Sequence, residues 1–96
     1  MNVKVYDKFS WHLDANIEEK KLIIFYTKLM DFLNKHNFLN AYGLELYNLG
    51  IDASLSINSK MLTDQGNKLL SQWYDEFLSH ANFDTEIDFS LLERNV

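Results

Sequence analysis

The sequence predicts a mainly helical fold, a compact bundle of two long helices and one or two short ones, with at most a small two-stranded β accessory. Two long stretches place apolar residues three or four positions apart, the spacing of one helical face. The 96 residues contain no proline, so the strongest helix breaker is missing. This length suits one domain, residues 1–96. A hydrophobic fraction of 47% supplies a core for it.

Residues 2–13 alternate loosely between apolar and polar side chains. The apolar ones are Val3, Val5, Phe9, Trp11 and Leu13. This pattern predicts either a short strand over residues 2–6 followed by a turn, or an extended arm that packs through its aromatic side chains.

A long helix is predicted over residues 16–36. Its apolar stripe consists of Leu22, Phe25, Tyr26, Leu29, Phe32, Leu33 and His36. Ile23, Ile24 and Met30 widen this stripe, so we expect the helix to be buried on more than one side. Asp14 or Asn16 can cap its first turn, and Asn37 suits a left-handed stop.

A shorter helix is predicted from Asn40, as its cap, to Leu49, with Gly50 closing it. Gly43 weakens this prediction by up to about 1 kcal/mol. Residues 54–57 then alternate like a short strand, whose natural partner is the stretch 3–6.

The second long helix is predicted to begin after Thr63, which caps it. Its broad apolar face comprises Leu69, Leu70, Trp73, Tyr74, Phe77, Leu78 and Ala81. A last short helix follows Asp84 and buries Ile87, Leu91 and Leu92. Two long helices cannot hide their apolar stripes alone, so we expect them to pack on each other.

The charge and the apolar runs exclude several classes of function. The formal net charge is −5, and no basic stripe is present to neutralise phosphates, which argues against nucleic-acid binding. Residues 1–14 show no apolar core of a signal peptide, and no apolar run approaches the roughly 20 residues of a membrane span. The absence of cysteine fits a reducing compartment. We therefore expect a soluble, cytoplasmic protein.

No catalytic or metal-binding motif is recognisable. The three histidines lack the helical spacing of a zinc site, and neither a Gly-x-Ser-x-Gly nucleophile motif nor a phosphate loop occurs. The sequence thus predicts a protein that is not an enzyme and needs no cofactor or metal.

The aromatic residues are more informative, because aromatic side chains are enriched in interface hot spots. Trp73 lies on a predicted apolar face and is expected in the core. For Trp11, on an irregular segment, core and surface are equally good interpretations. The candidate protein-contact residues are Asp7, Trp11 and His12, together with the acidic run Asp84, Glu86 and Asp88.

Residues 6–12, Tyr-Asp-Lys-Phe-Ser-Trp-His, resemble the opening of a family of small bacterial domains of unknown function that begin Tyr-Asp-x-x-Ser-Trp-His. Thr27, the pair at 32–33, the Leu-Thr-x-x-Gly-Asn segment at 62–67 and the pair at 73–74 extend the similarity. The family's proline after Trp-His is absent here. Lys28 stands where the family has a histidine, and Lys35 stands near a tryptophan position. The resemblance implies a related fold and no catalytic residues.

Three functional hypotheses follow. The first is a small acidic protein-binding module, an immunity- or antitoxin-like partner that binds a basic protein surface. The second is a homodimeric structural or adaptor domain, because the wide apolar faces of the long helices exceed what one chain buries. The third is a small enzyme or ligand carrier with a pocket that contains Trp11, His12 and a carboxylate.

Overall fold

The computed structural model describes residues 3–96 and is mainly helical with a small two-stranded sheet, as predicted. The elements in chain order are β1 (Val5–Lys8), α1 (Phe9–Asp14), α2 (Glu19–Lys35), α3 (Ala41–Leu49), β2 (Ser56–Asn58), a 3₁₀ turn (Ser59–Met61), α4 (Asp64–His80) and α5 (Ser90–Arg94). No helix within residues 3–96 has the length and apolar character needed to cross a membrane.

The two strands pair with each other in antiparallel register, which confirms the predicted pairing. Asp7 lies opposite Ile57, and both side chains are fully buried, so this face of the ribbon is turned to the core. A bulge between Val5 and Asp7 shifts the register. Both strands begin and end later than predicted, β1 at 5–8 where 2–6 was expected and β2 at 56–58 where 54–57 was expected. Residue 2, where the prediction began, lies outside the described residues.

Helix α1 replaces the predicted turn or extended arm. It has only six residues, and a helix this short is unstable without tertiary contacts. Phe9 supplies them: its side chain is fully buried, and its ring stacks on that of Tyr26, with the centroids 5.5 Å apart. Packing on α2 thus creates a helix that local sequence signals do not indicate.

Helix α2 begins three residues later than predicted, and neither proposed side-chain cap is used. Asn16 adopts a left-handed conformation (φ 66°) in the turn before the helix, and Glu18 is the capping residue. Asn37 is left-handed after the helix, as predicted. The expectation of a widened stripe is wrong for Ile23 and Ile24, which are exposed, so α2 buries one face only.

Helix α3 has the predicted bounds. The Asn40 side chain caps it by accepting a hydrogen bond from the Gly43 amide at 2.9 Å. Gly43 is buried against the 3₁₀ turn, and a Cβ atom there would overlap the carbonyl oxygen of Met61. Close packing therefore requires glycine at position 43, although glycine lowers the helix propensity there.

Thr63 caps α4 as predicted, since its hydroxyl accepts a hydrogen bond from the Gly66 amide at 3.2 Å. The two long helices meet through Phe25 and Phe77, whose ring centroids are 6.2 Å apart. Helix α5 begins at Ser90, later than predicted. Ile87 is buried but precedes the helix, because the chain runs without regular structure after α4.

Candidate functional site

A buried carboxylate lies beneath α1. Asp7 is fully buried at the end of β1, and its two oxygens accept hydrogen bonds from three parts of the chain. Oδ1 lies 2.9 Å from the Lys8 amide nitrogen and 2.8 Å from His12 Nε2. Oδ2 accepts a hydrogen bond of 2.6 Å from the Tyr74 hydroxyl. The expectation that Asp7 is a surface contact is therefore wrong, since its side chain is sequestered by the groups that satisfy it.

Two buried tyrosines surround this carboxylate. Burial, and then the Asp7 charge, raises the pKa of Tyr74 well above its ordinary value, and the same causes raise the pKa of Tyr26. Both phenols therefore stay protonated at neutral pH. Tyr74 uses its proton in the bond to Asp7, whereas the buried Tyr26 hydroxyl has no hydrogen-bond partner within residues 3–96.

The Asp7 network fixes the position of α1. Asp7 belongs to β1, His12 to α1 and Tyr74 to α4, so one carboxylate joins three elements. Phe9 holds the first turn of the same helix in the core. Helix α1 is thus held against the core at two points, by the Phe9 side chain and by the bond between His12 and Asp7.

Trp11 is on the exposed side of this helix. Half of its surface (50%) is accessible, which answers the question that the sequence left open. Lys8 Nζ lies 6.0 Å from the centre of its ring, within reach of a cation–π contact. His12 is only 15% exposed, and its ring is 5.2 Å from that of Phe83.

A cleft of about 490 Å³ opens beside Phe83, between the turn that precedes α2 and the chain after α4. Its lining comprises Asn16, Ile17, Glu18, Lys21, Ala81, Asn82, Phe83 and Asp84. Lys21 and Asp84 form an ion pair across it, and this bond raises the pKa of Lys21. Through Phe83, the structure brings Asp84 into the neighbourhood of His12.

The rest of the acidic run does not join this neighbourhood. Glu86 and Asp88 are exposed, but Glu86 lines a hollow with Lys28 and Lys35, and Asp88 lines another with Arg94. Asp88 also accepts a hydrogen bond of 2.9 Å from the Ser90 amide, which lowers its pKa. The predicted acidic contact surface is therefore divided among three places.

Tyr74 and Phe83 belong to this region although neither was predicted as a site residue. Tyr74 was predicted on an apolar helix face. This is correct for its ring, but the hydrogen bond of its hydroxyl to Asp7 was not predicted. The sequence did not place Asp7 at an inward position, because the predicted strand ended at residue 6; the one general indication was that a buried tyrosine hydroxyl usually finds a partner.

The chemistry open to this arrangement is limited by access. Asp7 and Tyr74 are buried, so a bound molecule would reach the network only through His12. Within residues 3–96, no three histidine or acidic side chains are gathered closely enough to hold a metal ion. The network therefore holds α1 in place and presents Trp11.

Comparisons with known proteins add no assignment. The resemblance carried by residues 6–12 accordingly stays a prediction. Neither protein-family models, nor curated proteins, nor solved structures give a match to this sequence.

Proposed function

We propose that this chain is a small acidic protein-binding module of the immunity- or antitoxin-like kind, which acts in the cytoplasm and covers a surface of a partner protein. One observation carries the proposal: Trp11 is half exposed on a helix that a buried network fixes. Tryptophan is enriched in interface hot spots because it buries a large apolar area at a low entropic cost.

The fixed backbone strengthens this interpretation. Binding has a free-energy cost when loops and side chains become ordered. A side chain on a helix that is already fixed in the free protein avoids part of this cost. His12 and Phe9, on either side of Trp11 in the sequence, both point into the protein. Trp11 alone on this short stretch offers a large apolar surface to a partner.

The partner is expected to be basic. The net charge of −5 favours encounter with a positively charged surface and raises the association rate. Near α1, the cleft contributes Glu18 and Asp84, of which Asp84 is 70% exposed, and Lys21 offsets one of these charges.

The test is capture of the partner from a lysate of the organism that carries the gene. Tagged wild-type protein is compared with Trp11→Ala and with Leu44→Ala, which removes another exposed apolar side chain from a different helix. A stoichiometric partner retained by wild type and Leu44→Ala but lost by Trp11→Ala supports the proposal. Equal retention by all three forms, or no partner for wild type, contradicts it.

The homodimer is the second candidate, and the exposed Ile23 and Ile24 on α2 favour it. The apolar stripes of the long helices are buried within one chain. Of the apolar side chains on α2 that suggested a dimer, Ile23 and Ile24 are the ones that stay exposed. Light scattering at high concentration tests it. A dimeric mass that Ile24→Lys converts to a monomeric one supports self-association, and a monomeric wild type contradicts it.

A further inference from the structure

Strand β2 has a free edge. It pairs only with β1 in the described sheet, and on that side the Leu55 carbonyl accepts from the Phe9 amide at 3.1 Å. The Ser59 amide likewise donates to the Lys4 carbonyl at 2.8 Å. Because backbone groups alternate in direction along an antiparallel strand, Ser56 and Asn58 turn theirs away from β1.

These outward groups are almost unpaired. The Ser56 carbonyl receives only a long contact of 3.3 Å from the Asn58 side chain. Within residues 3–96, no acceptor outside the strand pair faces the amide of Ser56 or of Asn58. An edge of this kind is a template for another strand.

The edge borders a groove whose opposite wall is apolar. The groove holds about 220 Å³, and its lining includes both Ser56 and Asn58. The opposite wall is one face of α3, formed by Tyr42, Leu46 and Leu49 at helical spacing. Leu49 is 82% exposed, so residues 3–96 leave most of its apolar surface uncovered.

We propose that this groove binds an extended peptide segment of a partner protein, which adds a strand to β2 and carries an apolar and a basic side chain. The main chain of the peptide pairs with Ser56 and Asn58. Alternate side chains of the peptide face α3, where the apolar one covers Leu49.

A basic side chain in the peptide is favoured by Asp52, which lines the same groove. Its Oδ1 accepts hydrogen bonds from the amide, at 2.8 Å, and the hydroxyl of Ser54. No described Lys, Arg or His forms an ion pair with this carboxylate. The nearby Lys60 lies instead over the Tyr42 ring, at 5.1 Å from its centre. A lysine or arginine of the peptide would therefore meet a fixed, unpaired negative charge.

Binding of a peptide in this groove does not depend on Trp11. Nothing on α1 lines the groove, so the two surfaces are separate binding sites. A partner that uses one need not use the other. The experiments keep them apart by measuring groove binding in the Trp11→Ala variant.

A phage-displayed library of random peptides tests the proposal on the full chain. We expect selection on wild type, after depletion on Leu49→Lys, to enrich peptides that combine an apolar residue with Lys or Arg. A synthetic copy of an enriched peptide should bind Leu49→Lys roughly tenfold more weakly, because the apolar side chain of the peptide would then lie against a charged ammonium group that loses hydration. Leu44→Lys is the matched control, since Leu44 is 41% exposed on α3 but does not line the groove.

Two further variants separate the contributions. Asp52→Asn should weaken the same peptide several-fold, and Trp11→Ala should leave its affinity unchanged within twofold. Hydrogen exchange followed by NMR then reports on the strand itself. The amide protons of Ser56 and Asn58 should exchange more slowly once the peptide is bound.

Three results would overturn the proposal. One is that no peptide is enriched on wild type over Leu49→Lys. Another is an enriched peptide that Leu44→Lys weakens as much as Leu49→Lys does. The third is binding that leaves exchange at Ser56 and Asn58 unchanged, which would show a peptide that rests on α3 without joining the sheet.

Discussion

Removing the Tyr74 hydroxyl should destabilise the fold far more than removing the equally buried Tyr26 hydroxyl. In Tyr74→Phe, the Asp7 carboxylate loses its 2.6 Å hydrogen bond from the phenol and stays buried. A hydrogen bond to a charged group contributes about 1.5–3 kcal/mol. Tyr26→Phe removes a buried hydroxyl that makes no hydrogen bond of normal geometry within residues 3–96 and interacts with Asp7 chiefly through its charge, so its loss of stability should be much smaller.

The two variants form a matched pair, because each removes one oxygen atom from a buried aromatic ring. Urea unfolding followed by tryptophan fluorescence measures both. A loss of about 2 kcal/mol in Tyr74→Phe also corresponds to a fall of roughly 10 °C in Tm for a domain of this size. Equal losses in the two variants, or a loss below about 0.5 kcal/mol in Tyr74→Phe, would refute the assignment of Asp7 as the organising group.

Three further predictions concern pH, packing and capping. The pKa of Tyr74 in the folded chain is well above its ordinary value of 10.0, which applies to the unfolded chain. The contribution of this tyrosine to the free energy of unfolding is therefore fully present below pH 10. It should fall above pH 10 by about 1.4 kcal/mol per pH unit for each such tyrosine, and a pH series of urea titrations should find a shallower fall in Tyr74→Phe. Gly43→Ala should destabilise by about 1–3 kcal/mol in thermal unfolding despite alanine's better helix propensity, because the new methyl group meets the Met61 carbonyl; a stabilised variant would contradict this packing. Thr63→Ala should lose about 1 kcal/mol of stability by the same measurement, while Thr63→Ser keeps the cap, and equal losses would argue against capping.

Elements with strong local signals were predictable from the sequence. Asn40 and Thr63 mark helix starts through their own side chains, and Asn37 marks a helix end through its left-handed backbone. The three-four spacing identifies both long helices because it depends on one segment at a time. The predicted strand pairing follows from two short alternating runs that had no other partner.

What could not be predicted depends on distant contacts. Helix α1 forms because Phe9 docks on Tyr26, and no signal within its six residues replaces that contact. Gly43 is required by a carbonyl from a later turn. Tyr74, one hydrogen-bond partner of Asp7, is 67 positions away in the sequence. Local signals therefore indicated Asp7, Trp11 and His12 as candidate contacts but could not show which of the three is buried.

The central claim is that Trp11, held by the Asp7 network, is the main contact with a partner protein. Isothermal titration of the captured partner against wild type and Trp11→Ala tests it most directly. We predict a loss of at least about 2 kcal/mol, roughly thirtyfold in Kd, with the unfolding free energy almost unchanged. A Kd within twofold of wild type would contradict the claim.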